Sequence, residues 1–171
     1  MPIRPIVKYG HPVLHAPAKP VEAIDDEIRR LVADMIETMY AAPGVGLAAT
    51  QVAVPLRVIV IDLSVGEDPE QVIRLVNPEI LEESGEQRHE EGCLSAPGYA
   101  GSPMRPAQVR VRGLDLEGDP REYTGSGLLA RAFCHEIDHI DGMLFVDRLS
   151  PLKRDLLRRK LRKRAKGDSW E

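Results

Sequence analysis

The amino-acid sequence predicts an α+β fold. Helical patterns fall at both ends of the chain and in its middle, and strand-like segments cluster between them. No β–α–β alternation suggests a parallel sheet. The 171 residues suffice for one domain with a proper core. No linker or internal repeat divides them, so a single domain over 1–171 is expected.

Residues 1–20 are rich in proline and read as extended chain with turns. From there Ile24, Ile28, Leu31, Val32, Met35, Ile36 and Met39 recur at helical spacing. Asp25, Asp26 and Glu27 occupy the first turn, where the helix dipole favours carboxylates. The pattern predicts an amphipathic helix over about 25–41, stopped by "PGVG". "LRVIVIDL" (56–63) is dense in β-branched residues and reads as a strand. "VIRLVNPEIL" (72–81) reads as one or two more, broken at Asn77-Pro78. "QVRVRGLDL" (108–116) alternates apolar and polar, "GDP" (118–120) turns, and "REYTG" (121–125) returns as the second arm of a hairpin.

A further helix is predicted over 127–140. Leu128, Leu129, Ala132, Phe133, Ile137 and Ile140 nearly encircle it, so it should be buried, and Gly142 stops it. Ser150-Pro151 supplies a cap and a first-turn proline for a last helix over about 151–166. Its apolar stripe is Leu152, Leu156, Leu157 and Leu161.

With 43% hydrophobic and 29% charged residues, the composition is that of a soluble globular protein. No stretch approaches the roughly 20 apolar residues of a membrane span. Prolines and charges interrupt the start where a signal peptide needs an apolar run, so a cytoplasmic location without membrane attachment is expected. Two cysteines, Cys93 and Cys134, are too few for a disulfide scaffold and point to free thiols or metal ligation.

Chemistry concentrates in "CHEIDH" (134–139). Four residues apart on a helix, His135 and His139 share a face one turn apart and suit a single divalent ion. Glu136 lies beside the first histidine, placed to act as a base without ligating the ion. A catalytic metal of this kind takes three protein ligands and keeps one position open. In the extended zincin pattern the third is a downstream histidine, but Leu144 and Phe145 stand in that region here. Asp141 and Asp147 are carboxylate candidates, and upstream "HEEGCLSAPG" (89–98) offers Cys93, with His89 as its rival. Cys134 points about 100° away from His135 on a helix and reads as a buried thiol. Chemistry favours Cys93.

Three stretches together, "GVGLAATQ" (44–51), "EGCLS" (91–95) and "HEIDH" (135–139), resemble in order and spacing the signature motifs of the bacterial peptide deformylases. The resemblance implies antiparallel β-sheets packed around a buried central helix that carries the histidines. It implies Cys93, His135 and His139 as metal ligands, Glu136 as catalytic acid–base, and Gln51 and the Leu94 N–H as donors to an oxyanion. Val45, Gly46, Glu91, Leu128 and Ala132 are expected at the substrate. The implied activity is hydrolysis of the formyl group from N-formylmethionyl nascent peptides, with formate released. The ion would be Fe2+ in the cell, with Zn2+, Ni2+ or Co2+ possible in purified protein. Ala96 and Ala100 depart from the residues common in the family, which bears on contacts at the substrate rim. An H-E-x-x-H endopeptidase, or a non-catalytic ribosome-binding protein with a structural metal, are the alternative readings.

Nine Lys and Arg residues against one acid, Asp155, give residues 153–166 a charge of +8, which leaves −12 for the remainder of a chain whose net charge is −4. An acidic body with a basic tail suggests an acidic partner. In related bacterial deformylases the C-terminal helix contacts the ribosome near the exit tunnel, and the same is expected here. No zinc finger or other recognition module is present, so sequence-specific nucleic-acid binding is not expected. A monomer is expected.

Overall fold

A computed structural model describes residues 3–167 and 170. Helix α1 (Asp26–Ala41) begins where the Asp25 side chain accepts a hydrogen bond from the Ile28 N–H at 3.0 Å. The chain then forms β1 (Gly46–Ala48), a 3-10 turn over Ala49–Val52, and β2 (Val58–Ile61). Next come β3 (Ile73–Ser84), β4 (Gln87–Arg88) and β5 (Glu91–Gly92). The remaining strands are β6 (Ala100–Gly101), β7 (Met104–Arg105), β8 (Gln108–Leu114) and β9 (Pro120–Ser126). Helix α2 (Leu128–Ile140), a 3-10 turn over Phe145–Arg148 and helix α3 (Pro151–Lys166) complete it. Among the described residues this is an α+β fold with three α-helices and antiparallel sheets.

The main sheet has the order β1-β2-β3-β8-β9, every neighbouring pair antiparallel. All four residues of β2 are fully buried, because alternate side chains serve different cores. Ile59 and Ile61 join Leu75, Val111, Phe133 and Ile137 on the α2 side. Val58 and Val60 join Leu47, Leu31, Met35 and Met39 on the α1 side. The sheet is thus covered by a helix on each face. A third cluster holds Tyr9, Leu14, Ala96, Phe145, Val146 and Leu161, and it ties the N-terminal segment, the loop after Cys93 and α3 together. Two short ribbons, β4–β7 and β5–β6, bring residues 91–93 alongside α2.

Several expectations change. The break at Asn77-Pro78 is a bulge inside one 12-residue strand: Asn77 takes a left-handed φ of 52°, and the register shifts between Val76 and Glu79. Asparagine tolerates that conformation, and its amide bonds both backbone groups of Val21 at 2.8 and 3.0 Å. Ser150 occupies the cap position of α3, but its side chain makes no capping bond. The four-leucine stripe is not buried as a unit. Leu161 is fully buried, whereas Leu152 is 72% and Leu156 48% exposed. At about 100° per residue Leu152 lies opposite Leu161 on the helix, and Leu157 and Leu161 share the packed side. Ala96 is buried in the third cluster and does not form a substrate rim. Gly142 does end α2: at φ 83° its N–H reaches the His139 carbonyl, while the Met143 N–H reaches that of Asp138.

Truncating Leu161 to alanine should therefore cost about 2–5 kcal/mol of folding stability. The same change at Leu152 should stay within about 0.5 kcal/mol. Urea unfolding of the two variants measures both.

Candidate metal centre

Helix α2 presents His135, Glu136 and His139 to the side where β1 and the loop after β5 meet. The Nε2 atoms of His135 and His139 lie 3.2 Å apart, and Cys93 Sγ is 3.2 Å from His139 Nε2. All three candidate ligand atoms fall within 4.8 Å of one another. Lone pairs converging this closely need a proton or a cation between them, and one thiolate with two imidazoles is a donor set that divalent transition metals accept. The structure therefore fits a metal ion at Cys93, His135 and His139.

Surrounding groups prepare those atoms. His135 Nδ1 is 3.0 Å from Glu91 Oε1, which keeps the proton on Nδ1 and turns the Nε2 lone pair toward the cluster. Burial opposes a charge on His135, yet Glu136, Cys93 and Glu91 outweigh it and raise its pKa, so the surroundings favour a positive charge at this point. Burial, then the charges of His135 and Arg105, lower the pKa of His139 and keep it neutral, the form that ligates. Burial raises the Glu91 carboxyl, but hydrogen bonds from His135 and Arg105 prevail and hold it at about 2.

Glu136 is 4% exposed, and its Oε1 has no hydrogen-bond partner. Burial pushes its carboxyl up to about 7, in the range where it both takes and returns a proton. Its other oxygen closes on Gly46, where a Cβ would stand only 2.5 Å from Oε2. A side chain at 46 would thus have to displace that carboxylate from its place.

Gln51, 2% exposed in the 3-10 turn after β1, accepts from the Ala48 N–H through Oε1 at 3.0 Å. That bond fixes which way the amide faces. Its Nε2 consequently points to Ser95 Oγ at 3.2 Å and Cys93 Sγ at 3.7 Å. Among the described residues no group accepts from the Leu94 N–H.

A cleft of about 470 Å³ opens above these groups. Val45, Gly46, Gln51, Glu91, Cys93 and Leu94 line it from one side, and Leu128, Ala132, His135 and Glu136 from α2. His139 lies beneath, fully buried. Leu128 is 46% exposed at the mouth, so α2 is not buried all round. Glu91 lines the cleft, but its carboxylate is turned to His135 and Arg105.

The rival ligands are engaged elsewhere. Asp141 pairs with Arg57 at 2.8 Å, and Asp147 accepts from the Leu144 N–H and from Arg158. His89 is exposed and outside the cluster. Cys134 is buried in the core, and burial pushes its thiol up to about 12. Sequence reasoning missed Ser95 and Asp138. The signal for Asp138 was a carboxylate on a helix otherwise read as buried, which demands a partner. Nothing comparable marked Ser95.

Residues 3–155 match the family model described as polypeptide deformylase. The chain belongs to the peptide deformylase family. A peptide deformylase of Acidobacterium capsulatum is 51% identical over 170 residues, covering 99% of this chain and 100% of that one. The crystal structure of a peptide deformylase from Legionella pneumophila superposes with a TM-score of 0.88 at 49% identity, covering 98% and 99% of the two chains. That of a peptide deformylase from Synechococcus elongatus, solved in complex with actinonin, gives 0.87 at 41% identity over 94% and 89%. The family model stops at residue 155, so most of α3 lies beyond it.

In this deformylase Cys93→Ala should abolish stoichiometric metal binding, and Cys134→Ala should leave it intact. Metal analysis of the purified, folded variants checks the pair.

Proposed function

We propose that Cys93, His135 and His139 hold one divalent ion at the floor of the cleft, and that Glu136, Gln51 and Leu94 act around it. The enzyme is a deformylase and removes the N-terminal formyl group of its peptide substrate. The observation that carries our division of labour is the convergence of the three ligand atoms beside a buried carboxyl with an unpartnered oxygen.

When bound, the ion acidifies a water and polarises the formyl carbonyl. Glu136 accepts a proton from the attacking water and returns it to the departing α-amine. Water and formamide thus become formate and a free N-terminus. Negative charge builds meanwhile on the formyl oxygen, and Gln51 Nε2 and the Leu94 N–H donate to it. The anchored Gln51 Oε1 supports this role, because the donor is oriented before substrate arrives.

β1 is an edge strand of the main sheet, so the backbone groups facing away from β2, apart from the Ala48 N–H held by Gln51, are open to an extended peptide. Val45, Leu128 and Ala132 form the apolar part of the cleft, which supports a pocket for the methionine of N-formylmethionyl nascent chains. Glu91 serves the substrate only indirectly, through His135. We assign Fe2+ in the cell on the family resemblance. The donor set also suits Zn2+, Ni2+ or Co2+.

α2, packed against β1, β2, β8 and β9, is the central helix of this reading. We read residues 1–171 as one catalytic, monomeric domain in the cytoplasm, with residues 1, 2, 168, 169 and 171 outside the described ones. Among the described residues no helix is long and apolar enough to cross a membrane. The basic helix over about 151–166 is assigned to the ribosome near the exit tunnel, supported by the cationic face of Arg159, Arg162, Lys163 and Lys166.

Formate release from a formyl-Met tripeptide under anaerobic conditions tests the chemistry. Glu136→Ala should retain metal and lose turnover, and Gln51→Ala should lower kcat by about 10²–10³. Undiminished release from Glu136→Ala refutes the assignment of the base. Because Leu161 is buried, α3 is better tested by charge than by deletion. Arg159→Glu, Arg162→Glu and Lys166→Glu together should weaken ribosome co-sedimentation at low salt without lowering tripeptide turnover.

A further inference from the structure

The contacts behind His135 do not end at Glu91. Arg105, 3% exposed, donates from Nε and Nη2 to the two Glu91 oxygens at 2.9 and 3.0 Å, and from Nη1 to Asp138 Oδ2 at 2.6 Å. Asp138 is the inner residue of "HEIDH" that no role yet explains. It accepts in turn from Arg148, whose Nη2 reaches Oδ1 at 2.9 Å and whose Nε reaches Oδ2 at 3.2 Å. Arg148 closes the 3-10 turn after α2, and its side chain is 46% exposed. A chain of alternating charges therefore runs from His135 through Glu91, Arg105 and Asp138 to the surface at Arg148.

We propose that Asp138 and Arg148 are positioning residues for His135, acting through Arg105 and Glu91 to hold its ring where it retains the metal. The proposal rests on the reading of Cys93, His135 and His139 as ligands. Two of the links are two-bond forks between a guanidinium and a carboxylate, so neither partner rotates alone. Two guanidiniums and two carboxylates also cancel in charge. Without Arg148, the carboxylates of Asp138 and Glu91 compete for Arg105 alone. Drawn toward Asp138, Arg105 loosens its fork on Glu91, and the Glu91 contact that orients His135 weakens. Partners one step removed from a ligand commonly change metal affinity by about 10–100-fold. A purely structural stitch would behave differently. The Arg158–Asp147 pair at 2.5 Å also ties this 3-10 turn, to α3, yet has no link to a ligand, and serves as the control.

The full-length protein loaded with Co2+ is mixed with excess chelator, and the loss of the cobalt–thiolate and d–d absorption bands is timed. Glu91→Gln, one step from the ligand, should release the ion about 10–100-fold faster. Asp138→Asn and Arg148→Gln, further along the path, should do so by a smaller factor of up to about tenfold, all with shifted bands. Arg148→Lys should recover part of the retention, and Arg158→Gln should match wild type. In a Glu91→Gln background, Arg148→Gln should add nothing, because its effect passes through Glu91. Wild-type release from a folded Arg148→Gln overturns the proposal. So does equal acceleration in Arg158→Gln, or an undiminished effect in the Glu91→Gln background. Should Asp138→Asn fail to fold, the Arg148 variants decide alone. A wild-type protein that takes up no cobalt overturns the metal reading itself.

Discussion

Helix α2 carries His135, Glu136, Asp138 and His139 within five consecutive positions, and all but His135 are essentially removed from water. Burying ionisable groups on this scale is costly unless each finds a partner or a counter-charge. Much of the surrounding architecture answers that demand. The β5–β6 ribbon delivers Glu91 to His135 and Cys93 to His139, and β7 delivers Arg105 between Glu91 and Asp138. Strands of two residues, too short to be stable alone, persist here because they anchor these charges. Among the described residues Glu136 Oε1 and His139 Nδ1 are the exceptions, buried without a hydrogen-bond partner. Burial accordingly raises the Glu136 carboxyl.

Legibility in the sequence followed local physics. The helix over 26–41 was readable because its cap, first-turn acids and apolar stripe all agree, and the structure buries that stripe against β1 and β2. The arms at 108–114 and 120–126 were readable from alternation around a turn. The stripe of α3 misled, because leucines spaced by 4, 1 and 4 residues do not share one face: at about 100° per residue Leu152 and Leu156 turn away from Leu157 and Leu161. Leu152 and Leu156 face outward, and Leu157 and Leu161 face the body of the protein. The ribbons β4–β7 and β5–β6 left no periodic trace, being too short to show one.

The candidate site divides in the same way. His135, Glu136 and His139 are close in sequence, so their spacing announces a shared helix face. Cys93 and Gln51 come from other elements: the need for a third ligand drew attention to Cys93, and only its motif to Gln51. What no motif spelled out was the link from Ala48 N–H through Gln51 to Ser95 and Cys93, or the path from His135 to Arg148. Such links depend on side-chain rotamers across distant segments, which one sequence does not specify.

The approach of Gly46 to Glu136 has a bearing on strand alignment. Gly46 is paired with Ile61 at the edge of the main sheet, in a strand of only three residues. A slip of one residue in that pairing would bring Val45 or Leu47 to the place of Gly46 and drive a branched side chain into the carboxyl. The misaligned form therefore carries a clash at the centre of the cleft that only a displaced carboxyl would relieve. The alignment of the shortest strand in the main sheet is thus guarded by a residue that has no side chain.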